Sequence, residues 1–92
     1  MRTIRKYEIP FNPVEVNVQL PVNSKILDVE FQNSKLFCWV EVKFEEERKI
    51  QFETVTFWIF GAEWEIPEDA VIEHVKTLHY DWCVWHIYKN EK

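Results

Sequence analysis

The chain has 92 residues, of which 47% are hydrophobic and 16% aromatic, and its formal net charge is -5. This length predicts a single domain over residues 1–92. The acidic balance argues against general nucleic-acid binding, which needs a basic excess. The single glycine, Gly61, excludes a P-loop and a dinucleotide fingerprint, because both need several glycines beside phosphates.

The first two segments predict strands. Residues 2–10, RTIRKYEIP, are expected to form an edge strand that ends at Pro10. In residues 13–21, PVEVNVQLP, apolar and polar residues alternate without a break. A period of two with β-branched residues is typical of a half-buried strand, so this segment is expected to place its valines against a core.

Residues 25–44 predict a β-hairpin with Asn33 and Ser34 at the turn. A two-residue turn places apolar and thiol side chains on one face of both strands, which supports this register because a one-residue slip would mix the faces. The expected pairs are Phe31 with Leu36, Val29 with Cys38, and Leu27 with Val40.

The next segments are less regular. Glu45 to Glu47 predict a turn that pairs Val42 with Ile50 and Val40 with Phe52. Residues 50–60 are rich in β-branched and aromatic residues, and their alternation blurs after Thr54, which predicts burial on both faces or a bulge.

Residues 66–80 fit two interpretations. Pro67, Glu68 and Asp69 could open a short helix near 68–78. A strand would instead place Val71, Val75 and Thr77 on one face. With the strand, the chain is all-β, with about seven short antiparallel strands in a small β-sandwich or partly open barrel. The helix is the main alternative.

Five segments carry a family resemblance in chain order: RTIRKYEIP, LPVNSKILDVEFQNSKLFCWVEV, EERKIQFE, GAEWEIPED and VWHIY. They resemble a small phage and prophage family of unknown function, DUF7352. The resemblance implies a phage origin and a compact β fold, and it favours a strand for residues 71–77. The chain departs from the family's Gly-Thr-Gly-His-Pro-like turn, since residues 61–65 are GAEWE.

Metal binding and catalysis find little support. Cys83 and His86 are three residues apart, so on a strand they face opposite sides and cannot bind one ion. Cys83 falls at an expected core-facing position, where burial would raise its pKa and leave little thiolate. We therefore expect no enzyme activity, no metal and no cofactor.

Two groups of side chains are candidates for ligand binding. A turn at His79 to Asp81 would place His74 opposite His86, near Lys76 and Trp82, on the face away from the core. The basic start of the chain is the second group, because arginine and lysine can contact phosphate. The candidate ligand-binding residues are Arg2, Arg5, Lys6, His74, Lys76, Trp82 and His86.

These features lead to two hypotheses. The first is a phage-encoded, non-catalytic protein of the host cytoplasm that binds a small anionic nucleotide, as an anti-defence protein sequestering a signalling molecule. Such sites often lie between subunits, so it predicts a homo-oligomer. The alternative is a protein–protein interaction module, either an inhibitor of a host enzyme or a phage structural or assembly accessory. Neither hypothesis involves a membrane, since no apolar run approaches the ~20 residues that span a bilayer.

Overall fold

Seven β-strands form the protein, whose computed structural model describes residues 1–44 and 49–91. The strands are β1 (Arg2–Ile9), β2 (Glu15–Pro21), β3 (Lys25–Gln32), β4 (Lys35–Lys43), β5 (Phe52–Gly61), β6 (Ile72–Tyr80) and β7 (Cys83–Asn90). The described part of the chain contains no helix. The predicted all-β fold is therefore confirmed, and the alternative helix near 68–78 is wrong because β6 occupies most of that range.

The strands form two antiparallel sheets. One sheet has three strands in the order β1-β4-β3, and the other has four in the order β2-β5-β7-β6. Neither sheet closes into a barrel, so the architecture is a sandwich. The predicted edge strand at the start of the chain is confirmed, since β1 pairs only with β4 among the described strands.

Alternation along the strands places the core between the sheets. In β2 the predicted pattern is confirmed, because Val16, Val18 and Leu20 are buried while Glu15, Asn17 and Gln19 are exposed. Other strands add to the same core, whose fully buried members include Ile9, Val29, Leu36, Cys38, Val40, Phe57, Ile59 and Ile87. Val14, also predicted to face this core, lies before β2 and is exposed.

The β3–β4 hairpin confirms most of its predicted register. Val29 pairs with Cys38 and Phe31 with Leu36, and the turn residues Asn33 and Ser34 both have positive φ. The pairing of Leu27 with Val40 is wrong. An irregularity between Ile26 and Asp28 pairs Ile26 with Val40 and leaves Leu27 exposed, because a β-bulge adds one unpaired residue.

β4 and β5 do not pair, so the predicted pairs of Val42 with Ile50 and Val40 with Phe52 are wrong. Val42 pairs with Thr3, and Phe52 pairs with Pro21. β4 and β5 belong to different sheets, and the neighbours of β5 are β2 and β7. The predicted turn at Glu45 to Glu47 lies outside the described residues.

Aromatic rings close one end of the sandwich, where the β3–β4 and β6–β7 turns lie. Phe31 stacks on Tyr80 with ring centroids 4.0 Å apart, and Phe11 meets Trp85 edge to face at 4.9 Å. Large rings remove much apolar surface from water, which offsets the small number of core residues in a chain of this size.

Candidate functional site

A cavity of about 570 Å³ lies between the four-stranded sheet and residues 62–71. This segment joins β5 to β6 and must pass β7, which lies between them in the sheet. We call this space the loop-covered cavity. Its lining is mostly apolar and consists of Val14, Trp58, Phe60, Trp64, Glu65, Pro67, Asp69, Ala70, Val71, Ile72 and Asn90.

The sequence of β5 supplies the floor of the loop-covered cavity. Phe57 and Ile59 point into the core, so Trp58 and Phe60 project from the opposite, outer face of the sheet. Phe60 is nevertheless only 4% exposed. The predicted burial on both faces of this segment is therefore confirmed.

Backbone hydrogen bonds hold the covering segment in place. The N–H of Ala62 donates to the carbonyl of Val84 at 3.0 Å, and the N–H of Glu91 donates to the carbonyl of Val71 at 3.2 Å. Gly61 has a steric role, because a Cβ there would lie 2.8 Å from the Trp64 ring. Trp64 also contacts Trp85 edge to face at 5.7 Å. The segment is thus attached at both ends.

The rim of the loop-covered cavity is apolar and acidic. Trp64 is 47% exposed and Val71 68% exposed. Glu65 and Asp69 line the cavity, whereas none of the described lining residues is a lysine or arginine. Neither carboxylate forms an ion pair within residues 1–44 and 49–91.

One polar atom of the floor has no partner. The indole Nε1 of Trp58 is shielded from solvent and donates no hydrogen bond to any described residue. An unsatisfied buried donor costs about 1–3 kcal/mol, so the packing around Trp58 must offset that cost.

Histidines 74 and 86 lie together on the same outer face. Thr77 Oγ1 is 2.8 Å from His74 Nε2 and 2.9 Å from His86 Nδ1, so its hydroxyl can donate to one ring and accept from the other. The two rings have centroids 6.4 Å apart. Tyr88 contacts both His74 and Phe60 edge to face, which links this histidine cluster to the loop-covered cavity.

The histidines meet by a different register from the predicted one. Thr77 stands opposite His86 and His74 opposite Tyr88, so the direct His74–His86 pair is wrong. The turn contains two residues, Asp81 and Trp82, and a bulge falls between His74 and Lys76.

Lys76 does not join the histidine cluster. It stands opposite the core residue Ile87, and its Nζ lies 2.7 Å from Asp28 Oδ1 on the other sheet. The hydrogen bond from Lys76 is the main reason that the pKa of Asp28 is lowered, and the backbone N–H of Val29 adds to it. Lys76 therefore links edge strands of the two sheets.

The basic start of the chain lies on the three-stranded sheet, apart from the histidines. Arg2 is 3.7 Å from Glu41, while Lys6 lies over the Phe37 ring at 4.5 Å. Arg5 stands opposite the core residue Val40, so it shares a face with neither Arg2 nor Lys6. The seven candidate residues are thus spread over both sheets.

Trp82 and Cys83 lie at the tip of the β6–β7 hairpin. Trp82 is fully exposed in the turn and has a positive φ of 66°. Cys83 is exposed as well, so its predicted core position is wrong. No group of three His, Cys, Asp or Glu suited to a metal ion occurs among the described residues.

Sequence reasoning missed the loop-covered cavity. The available signal was in β5, where Trp58 and Phe60 alternate with two core residues and cannot enter the same core. Such a strand needs a cover on its second face, and residues 62–71 follow it directly with the apolar side chains of Trp64, Ile66 and Val71.

These features define a small, two-sheet all-β protein with a covered outer face. The chain belongs to the family described as "Domain of unknown function (DUF7352)", whose sequence model matches residues 1–92. No curated protein and no solved structure matches it. Within the described residues, no helix is long and apolar enough to cross a membrane.

Proposed function

We propose that the protein is a non-catalytic protein–protein interaction module that binds its partner through the loop-covered cavity. As parts of the same proposal, the protein is of phage origin and acts in the host cytoplasm on a host enzyme or in phage assembly. The observation that carries the proposal is the cavity itself, an apolar concavity of about 570 Å³ bordered by exposed apolar side chains.

The size and lining of the cavity suit an anchoring side chain of a partner. Binding pockets usually measure about 300–1,000 Å³ and are lined mainly by apolar and aromatic groups. Interfaces are commonly dominated by a few bulky residues that enter such pockets. A docked side chain would contact Trp58 and Phe60 at the floor, and the partner's surface would cover Trp64 and Val71 at the rim.

A matched pair of variants tests this proposal. Ala70 lines the cavity, so Ala70→Trp should fill it, whereas Ala62 is exposed in the same segment but does not line it. We expect Ala70→Trp to reduce capture of a host protein by at least about tenfold, the effect of about 1.4 kcal/mol. Ala62→Trp adds the same ring and should capture as the wild type does.

The measurement is quantitative mass spectrometry of proteins captured from host lysate on immobilised wild type and both variants. Circular dichroism of each variant establishes that it folds. If the folded Ala70→Trp protein captures the same proteins in the same amounts as the Ala62→Trp protein, the proposal is wrong.

Nucleotide sequestration by an anti-defence protein is the second candidate, and one observation favours it. His74, Thr77 and His86 form a hydrogen-bonded cluster beside Tyr88, and two imidazoles with a ring can bind an anion and stack on a base. It ranks second because the lysine and arginines expected to assist lie elsewhere. A homo-oligomer could bring a partner subunit's cations to the cluster.

Thermal unfolding with a panel of cyclic and ADP-ribose-type nucleotides tests this second candidate. A bound nucleotide should raise the Tm of the wild type by mass action. It should not raise the Tm of His86→Ala, because this variant lacks one of the two histidines of the cluster. Unchanged Tm values throughout the panel would reject the candidate.

A further inference from the structure

We infer that the occupant of the loop-covered cavity is a basic protein segment that inserts one bulky apolar side chain and places lysines or arginines along the rim. This inference rests on the proposed function and specifies the chemistry of the partner. Two independent features of the site carry it, namely the apolar lining and the sign of the charge around it.

The apolar lining defines the anchor. Trp58 and Phe60 belong to β5 and Ile72 begins β6, while Pro67 and Ala70 come from the covering segment. The floor, formed by Trp58 and Phe60, carries no charged group, so a charged anchor would lose its hydration there without an ion-pair partner. A large aliphatic or aromatic side chain is the group that such a lining accommodates.

The charge around the rim defines the flanks of the partner segment. Glu65 and Asp69 line the cavity, and Glu63 and Glu68 belong to the same covering segment, which has no lysine or arginine. In the neighbouring strand β7, Lys89 is held by Glu73 at 2.6 Å. The two lining carboxylates favour a cationic partner over a nucleotide or another anion, and Glu63 and Glu68 add negative charge outside the lining.

Trp64 adds a second means of recognising a cation. Trp64 is 47% exposed at the rim, and its ring packs beside Gly61 and edge to face on Trp85. A lysine or arginine over an indole face is attracted by the ring quadrupole, and tryptophan is the strongest of the aromatic residues in this respect. A basic flank would thus meet carboxylates and a ring at the same rim.

Synthetic peptides test the inference directly. The probe is a short Gly/Ser peptide with a central Phe flanked by two Lys on each side. One control peptide replaces the lysines by glutamates, a second replaces them by glutamines, and a third replaces the Phe by Ser. We expect only the Lys/Phe peptide to bind measurably in titration calorimetry, and we expect Ala70→Trp to abolish that binding.

Charge variants of the full chain distinguish an effect of the rim carboxylates on peptide binding from an effect of the protein's overall negative charge. Glu65→Gln with Asp69→Asn removes the two lining carboxylates, and Glu63→Gln with Glu68→Gln removes two that do not line the cavity. The first pair of substitutions should lower the affinity for the Lys/Phe peptide about three- to tenfold, as expected for the loss of a few exposed charge pairs. The second pair should weaken it clearly less.

Each outcome distinguishes the inference from the proposed function. If the Gln peptide or the Glu peptide binds as tightly as the Lys/Phe peptide, or if both charge-variant pairs bind it equally, the basic partner is wrong. The docking proposal would still stand if Ala70→Trp lost the captured host protein. If Ala70→Trp changes neither capture nor peptide binding, both are wrong.

Discussion

The two cysteines show how much the surroundings of a single residue decide its chemistry. Cys38 is fully buried between the sheets, and that burial raises the pKa of its thiol to about 11. Cys83 is the first residue of β7, directly after the exposed turn, and is itself exposed. Cys83 lies four residues before the core residue Ile87, so both side chains point to the same face of β7. A shared face does not by itself establish burial. Burial also requires that the other sheet lies directly opposite the residue.

Thiol labelling should therefore distinguish the two residues. At a pH of about 8, iodoacetamide should modify Cys83 in the folded protein and leave Cys38 unmodified, because the thiolate is the reactive form and must be accessible. In denaturant both should react. Mass spectrometry of the digested protein measures each site.

A Cys83→Ser variant provides the control, since it should take up no label while folded and one label when unfolded. Modification of Cys38 at the same rate as Cys83 in the folded wild type would contradict the described burial.

Among the elements, those with unbroken local patterns were predictable. The strict alternation of residues 14–20 indicated β2, and the two-residue turn at Asn33 and Ser34 indicated the β3–β4 hairpin. Both signals depend on neighbours in sequence. The errors arose where the bulge beside Leu27 changes the pairs of β3 farther from the β3–β4 turn, and where the β6–β7 turn lies at Asp81 and Trp82 and not at His79 to Asp81. A bulge depends on tertiary packing and has no reliable local pattern.

Strand partnership across the molecule was not predictable from neighbouring segments. The sequence suggested that β5 would pair with β4 because they are adjacent in the chain, but β5 pairs with β2 and β7. The same limitation affected the site. His74 and His86 belong to one hairpin and do meet, whereas Arg2 and Lys76 could be placed only once the order of the strands was known.

At the scale of the whole molecule, the core is a single layer between two sheets. Its buried members come from six of the seven strands, and the charged side chains remain at least partly accessible in the described chain. A domain of this length buries a smaller share of its surface than a large one, so its stability rests on few side chains. Each fully buried ring should then matter for the stability of the entire fold.

Phe57 and Phe52 test this dependence as a matched pair within β5. Phe57 is fully buried, whereas Phe52 is 49% exposed and meets Tyr7 edge to face. Removing a buried phenyl ring costs about 3–5 kcal/mol, because transfer energy is lost and a cavity remains. At about 0.05–0.15 kcal/mol per residue, small proteins have only roughly 5–15 kcal/mol in total.

Urea unfolding should therefore show a large fall in the transition midpoint for Phe57→Ala. For Phe52→Ala the free energy of unfolding should fall by only roughly 1–2 kcal/mol, because this residue is half exposed already. The slope of the transition should stay the same in both variants if the unfolded surface is unchanged. Equal midpoints for the two variants would mean that the inner face of β5 does not carry the core, since the buried ring would then contribute no more than the exposed one.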